Sequence, residues 1–461
     1  MHIIRSISES TNDIRILWIS VFIRMLAFGL CNQVLTLYLA SLGISEPQIG
    51  VFMTLTMIGD TLLSYVLTWN ANLLGNRRIM VAGALVMFLS GLVFASGITN
   101  YTILLVAAIF GVISPSGTDT GPFRAIEEGV IARLTPLNHR PEVFAIHGLL
   151  SSVGSAIGSI VCGITVDYLK ATYLWSDKKA FRTIFLAYGL VAVFKVVLLF
   201  GLSRKCEPEF APEYGAVGNE ADEEASENEE AGATSNETSE LSEASPLMND
   251  LESSTITGLT PRHQTQLFKL LFCFMLDSFG WGFMPSAWVV YYFKLVFGIS
   301  ATILGTLFFV TSIVSALAGI PSAYLAKSLG PIRSSLLSQI PCGLFSIAIP
   351  FCGTHFFTAS VFLTLQQLTT GMDVVPRQIL TTSLFPHRDV VKALGLIMVG
   401  KTAARTIGPI FTGKLASIGL LWVNFLISGG CLIVSNLVLW GSFLSLDEEV
   451  LLHQKTNTNF G

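Results

Sequence analysis

The chain has 461 residues, of which 52% are hydrophobic and 13% charged, roughly half the ~25% charged content of soluble domains. Its formal net charge of −4 and modest supply of Lys and Arg offer no basic face for nucleic acid. Most of the chain must therefore sit in lipid, which excludes a large soluble protein.

Residues 1 to 15 are polar and read as a cytosolic tail. The first apolar run is too long for a secretory signal and lacks a small-residue cleavage pattern, so it predicts an uncleaved anchor. At about 20 apolar residues per crossing, twelve spans follow in order: 16–40, 49–70, 78–99, 102–122, 143–167, 182–203, 266–290, 300–324, 334–353, 356–376, 393–416 and 420–443. Helices alone satisfy their own backbone polar groups over such lengths. The expected fold is all-α and integral to the membrane, with one six-helix bundle at 16–203 and a second at 266–443. Lys and Arg concentrate in the tails and even-numbered loops, which places both termini in the cytosol. The seven cysteines read as small apolar packers rather than a disulfide framework.

The two bundles are copies of one unit. Gly121, Leu134, Pro136, Gly158 and Gly163 return as Gly371, Leu384, Pro386, Gly408 and Gly413, at a constant offset of 250. At an offset of 255, Gly43-Ile44-Ser45 returns as Gly298-Ile299-Ser300 and Gly50 as Gly305. Shared glycines imply shared places of close backbone approach.

Between the copies, residues 204–265 form a cytosolic linker. From Cys206 to Pro261 it holds 15 of the 31 acidic residues and no Lys or Arg, a composition that cannot bury enough apolar surface to order itself. The tail at 444–461 contains Asp447-Glu448-Glu449-Val450-Leu451-Leu452, the pattern of an acidic dileucine signal. Leu451 and Leu452 are expected to engage sorting adaptors, leaving the plasma membrane and the vacuolar or endosomal membrane as the two destinations.

Two six-helix halves joined by a long linker resemble the major facilitator superfamily. The loop motif G-x-x-x-D-R-x-G-R-R is matched loosely at Thr68 to Arg77 and again at Ala323 to Ile332, with Asn72 and Lys327 where the acid is usual. Gly154 to Gly163 resembles the superfamily's glycine-rich antiporter motif, with Ser159 replacing its proline; the counterpart, Ala404 to Gly413, keeps Gly408-Pro409. The resemblance implies a twelve-helix transporter that works as a monomer and moves a small-molecule substrate by alternating access, with antiport ahead of symport.

Charges within the spans mark the pathway, because each costs about 2.5–3.5 kcal/mol at the bilayer centre unless it is paired or hydrated. Arg24 and Asp60 lie at matching depth and are expected to face one another. Asp277 is the candidate proton site, with Lys401 and Arg405 able to meet it across a cavity. Asn32 and Gln366 could hydrogen-bond a polar solute. Lys195 is expected to snorkel to the cytosolic surface. At the cytosolic ends of the fourth and tenth spans, Asp119, Arg124 and Glu127 oppose Asp373 and Arg377. Glu127 corresponds to Arg377 under the repeat, so a gate formed between the halves is expected.

The sequence carries no nucleotide-binding loop, nucleophile elbow or metal-spaced cluster, so no enzyme activity and no cofactor are expected. The expected function is secondary transport, with protons as the coupling ion and membrane lipid as the surroundings. The alternative is a transport-inactive relative serving as receptor, sensor or scaffold through its acidic linker.

Overall fold

The computed structural model describes residues 11–111, 113, 122–136, 139–207, 261–384 and 387–444. The first half comprises α1 (Asn12–Ser41), α2 (Glu46–Trp69), the short α3 (Ala71–Leu74), α4 (Asn76–Ser96), α5 (Tyr101–Phe110), α6 (Pro122–Leu134), α7 (Arg140–Tyr173) and α8 (Asp177–Phe200). The second comprises α9 (Pro261–Phe283), α10 (Ser286–Phe297), α11 (Ala301–Leu317), α12 (Gly319–Leu329), α13 (Pro331–Ala348), α14 (Phe356–Gly371), α15 (Val374–Ser383), α16 (His387–Ser417) and α17 (Val423–Phe443). Most of the linker, the Asp119 region and the dileucine pair lie outside the described residues.

Among the described residues nine stretches are long and apolar enough to cross a membrane, with α9–α10 and α11–α12 each serving as one. The other three crossings of the twelve-helix fold differ for physical reasons. The fourth ends early: α5 stops at Phe110 instead of running on to 122, and the next described helix, α6, begins at Pro122. The tenth is split into α14 and α15 at Met372 and Asp373. The eleventh, α16, is long enough but carries Lys401 and Arg405 in its apolar stretch. The seventh crossing also breaks, between Phe283 and Ser286, where Pro285 contributes no N–H to the helix ladder.

The repeated glycines are crossing points. A methyl group on Gly158 of α7 would overlap the Leu26 carbonyl oxygen of α1, and one on Gly408 of α16 would overlap the Gly282 backbone of α9. The two crossings are equivalent, so α1 and α7 in the first half correspond to α9 and α16 in the second. Gly29, which meets Gly158, thereby corresponds to Gly282, which meets Gly408.

The halves join at the end of the bundle opposite Asn12 and Phe443. There Asn32 donates to Ser286 Oγ at 2.8 Å, Thr36 to the Ala287 carbonyl at 3.1 Å and Thr54 to the Thr406 carbonyl at 2.9 Å. The Ala301 and Thr302 N–H groups at the start of α11 donate to Asp167 of α7 at 3.1 and 2.7 Å, so a carboxylate of one half caps a helix of the other. Tyr291 donates to Glu46 at 3.2 Å across the same seam. The central core runs through this region, with Tyr38, Phe52, Trp288 and Phe293 fully enclosed.

Candidate functional site

Each half holds a buried charge cluster on the termini side of this seam. In the first half the hub is Glu127 of α6, which has no exposed surface. It accepts from Arg24 of α1 at 2.7 Å, from Ser20 at 3.0 Å and from Lys195 of α8 at 3.3 Å. Two cations thus share one carboxylate. Removing that carboxylate breaks two buried ion pairs at once.

In the second half the hub is Arg377 of α15. Its two terminal nitrogens donate to the two oxygens of Asp277, both at 2.8 Å, a bidentate geometry that fixes orientation as well as charge. Its Nε donates to Asp373, one helical turn earlier. Asp373 also accepts from Ser335 and, at 2.8 Å, from Gln339, both on α13. The Phe274 ring lies 5.3 Å from the Arg377 guanidinium and 5.5 Å from the Lys401 ammonium, placing α16 beside the cluster. Here one cation is shared by two carboxylates.

These positions correct several expectations. Arg24 makes its ion pair with Glu127, whereas Asp60 had been expected opposite it; Asp60 itself is buried on α2 at 3% exposure. Matching depth fixes height along a helix but not direction around it, and α6 lies in the bundle beside α1. Asp277 makes its direct ion pair with Arg377, a partner not foreseen, with Lys401 and Arg405 close enough to act on it electrostatically. Lys195, expected to snorkel, is 2% exposed and bound to Glu127.

The expected gate is also redrawn. Glu127, Arg377 and Asp373 lie inside the bundles and find partners within their own halves. Arg124 pairs with Glu128 one turn along α6, at 2.7 Å and largely in solvent. Asn32 bridges the halves through Ser286. Gln366 is buried on α14, where its backbone carbonyl faces Cys342 of α13. Arg405 lies on α16 where that helix crosses α9, its carbonyl against Gly282.

Sequence reasoning named the hub residues but missed their pairing. The signal was present: the step from Gly29 to Gly282 also carries Arg24 onto Asp277.

Among the described residues no group of three or more His, Cys, Asp or Glu could hold a metal ion.

The profile of the Major Facilitator Superfamily matches residues 17–246 and 270–459. The chain is 45% identical over 442 residues to the "Uncharacterized membrane protein YJR124C" of Saccharomyces cerevisiae, covering 96% of both chains. It is 23% identical to the "Quinolone resistance protein NorA" of Staphylococcus aureus over 155 residues, 34% of this chain and 38% of that one. Among solved structures it resembles a D-xylose-proton symporter, with TM-score 0.66 and 16% identity over 93% of this chain and 98% of that one. It also resembles the inward-open xylose transporter XylE of E. coli, with TM-score 0.65 and 14% identity over 93% and 95%. With its two repeated bundles, its twelve crossings and a profile match that spans both halves, the chain belongs to the major facilitator superfamily of membrane transporters.

Proposed function

We propose that the protein is a proton-coupled secondary transporter that moves a small solute by alternating access and works as an antiporter. The observation that carries this reading is the sharing of Arg377 between Asp277 and Asp373 deep in the second half. Arg377 binds both carboxylates directly while Lys401 and Arg405 of α16 act on Asp277 from nearby, so a proton or a cationic group on the substrate can compete with these cations for Asp277. Lys401 on the neighbouring helix is a second candidate counter-charge for Asp277. Competition between proton and solute for one carboxylate couples their movements, because the halves can rock only when that charge is satisfied.

Antiport is supported by the glycine-rich stretch of α7, whose Gly158 sets the crossing with α1. The printed name of NorA, a resistance protein, agrees with efflux. In the proposed orientation both termini are cytosolic, the seam between the halves lies at the outer face, and the acidic linker and dileucine tail face cytosolic factors. The protein acts as a monomer in the plasma membrane or in a vacuolar or endosomal membrane.

The test uses the full chain in proteoliposomes with an imposed pH gradient. Solute movement driven by that gradient supports the proposal, and solute binding with no flux under any gradient contradicts it.

A further inference from the structure

At the seam, on the end opposite the termini, lies a cavity of about 350 Å³ whose walls come from both halves. Val34, Phe181 and Leu304 make it largely apolar, and the volume falls within the range of small-molecule sites. Gln33 of α1 lines it. That side chain is 4% exposed, and neither its amide oxygen nor its amide nitrogen has a hydrogen-bond partner. A buried amide lacking both donor and acceptor contacts is rare in a native fold and calls for a guest.

The charged groups at the rim are already engaged. Lys170 is 2.6 Å from Asp177, Lys294 donates to the Ile299 carbonyl at 2.7 Å, and Asp167 caps α11. The rim therefore asks for no ionic partner, whereas Gln33 offers one donor and one acceptor side by side. The matching group is a second carboxamide or lactam, which returns an acceptor and a donor in the same geometry.

We infer that this cavity is an inhibitory site for a compact, uncharged ligand with an apolar body and one amide-type group. Inhibition follows from construction. The α1, α7 and α8 walls belong to one half and the α10 and α11 walls to the other, so opening the seam dismantles the site. A ligand that binds only the closed seam draws the population towards it. The effect on flux rests on the alternating-access reading; the binding does not.

The experiment titrates benzamide, with toluene as the amide-free control, into detergent-solubilised full-length protein and follows binding by calorimetry. The inference expects saturable benzamide binding to wild type, weaker binding of toluene, and a loss of about tenfold in benzamide affinity in Gln33→Leu. Leu37→Trp, which adds bulk to the cavity wall, should abolish binding outright, and it keeps the test decisive if Gln33→Leu fails to fold. Absence of saturable binding to wild type, or equal benzamide affinity in wild type and a folded Gln33→Leu, overturns the inference. A protein that binds benzamide through Gln33 yet shows no pH-driven flux would leave the site standing while the proposed function fails.

Discussion

Arg24 and Asp277 occupy equivalent positions in the two halves and carry opposite charges. Each is held by the equivalent residue of a second helix, Glu127 for Arg24 and Arg377 for Asp277. The repeat has thus preserved the ion pair and reversed its polarity. Reversal leaves the hubs unlike: Glu127 is bound by two cations, whereas Arg377 binds two carboxylates. On the proposed reading the second hub, whose carboxylates can take up a proton, serves coupling, and the first serves structure.

The first cluster should behave as structure. Glu127→Gln removes the carboxylate that both Arg24 and Lys195 bind, and losing one partner of a buried ion pair costs about 3–5 kcal/mol. We expect Glu127→Gln to lower the midpoint of thermal unfolding in detergent, and the triple variant Arg24→Gln, Glu127→Gln, Lys195→Met to regain most of it. A single variant as stable as wild type would show that the cluster is not under the stress its burial implies.

The seam should be a moving contact. A side chain on Gly163 of α7 would overlap the Ala301 carbonyl at the start of α11, and one on Gly413 of α16 would overlap Glu46 at the start of α2. These equivalent contacts exist only while the halves meet at this end. Gly163→Val is therefore expected to leave each bundle folded and to raise the labelling rate of a reporter cysteine, Leu304→Cys, by about tenfold or more with an impermeant thiol reagent. Unchanged labelling in a folded variant would mean that the seam does not open there.

How much of this was legible in the sequence depends on what each signal encodes. Hydropathy reports length and depth, so twelve crossings in two halves could be read directly. Identity at fixed offsets reports backbone approach, so Gly158 and Gly408 marked real crossings. Direction around a helix is set by neighbours distant in sequence, and Arg24 was accordingly assigned to Asp60 when its ion pair is with Glu127. The end of α5 at Phe110 falls well short of the span expected to 122. A straight span to 122 put Glu127 at the membrane surface, whereas the structure buries it completely.

The dileucine reading of the tail can be tested by localisation. Replacing Leu451 and Leu452 with Ala should move a fluorescently tagged full chain from internal membranes to the cell surface. An unchanged distribution in the double variant would remove the dileucine pair as a sorting determinant.

The central claim is that coupling runs through Asp277, and it is tested most directly by pH-driven transport in vesicles containing Asp277→Asn. The amide keeps the shape of the carboxyl and mimics its protonated form, so Arg377 can turn wholly to Asp373 and the fold should survive. The account predicts that Asp277→Asn still exchanges solute down its gradient but no longer accumulates it when a pH gradient is imposed. Accumulation against the solute gradient at the wild-type level in Asp277→Asn vesicles would contradict it.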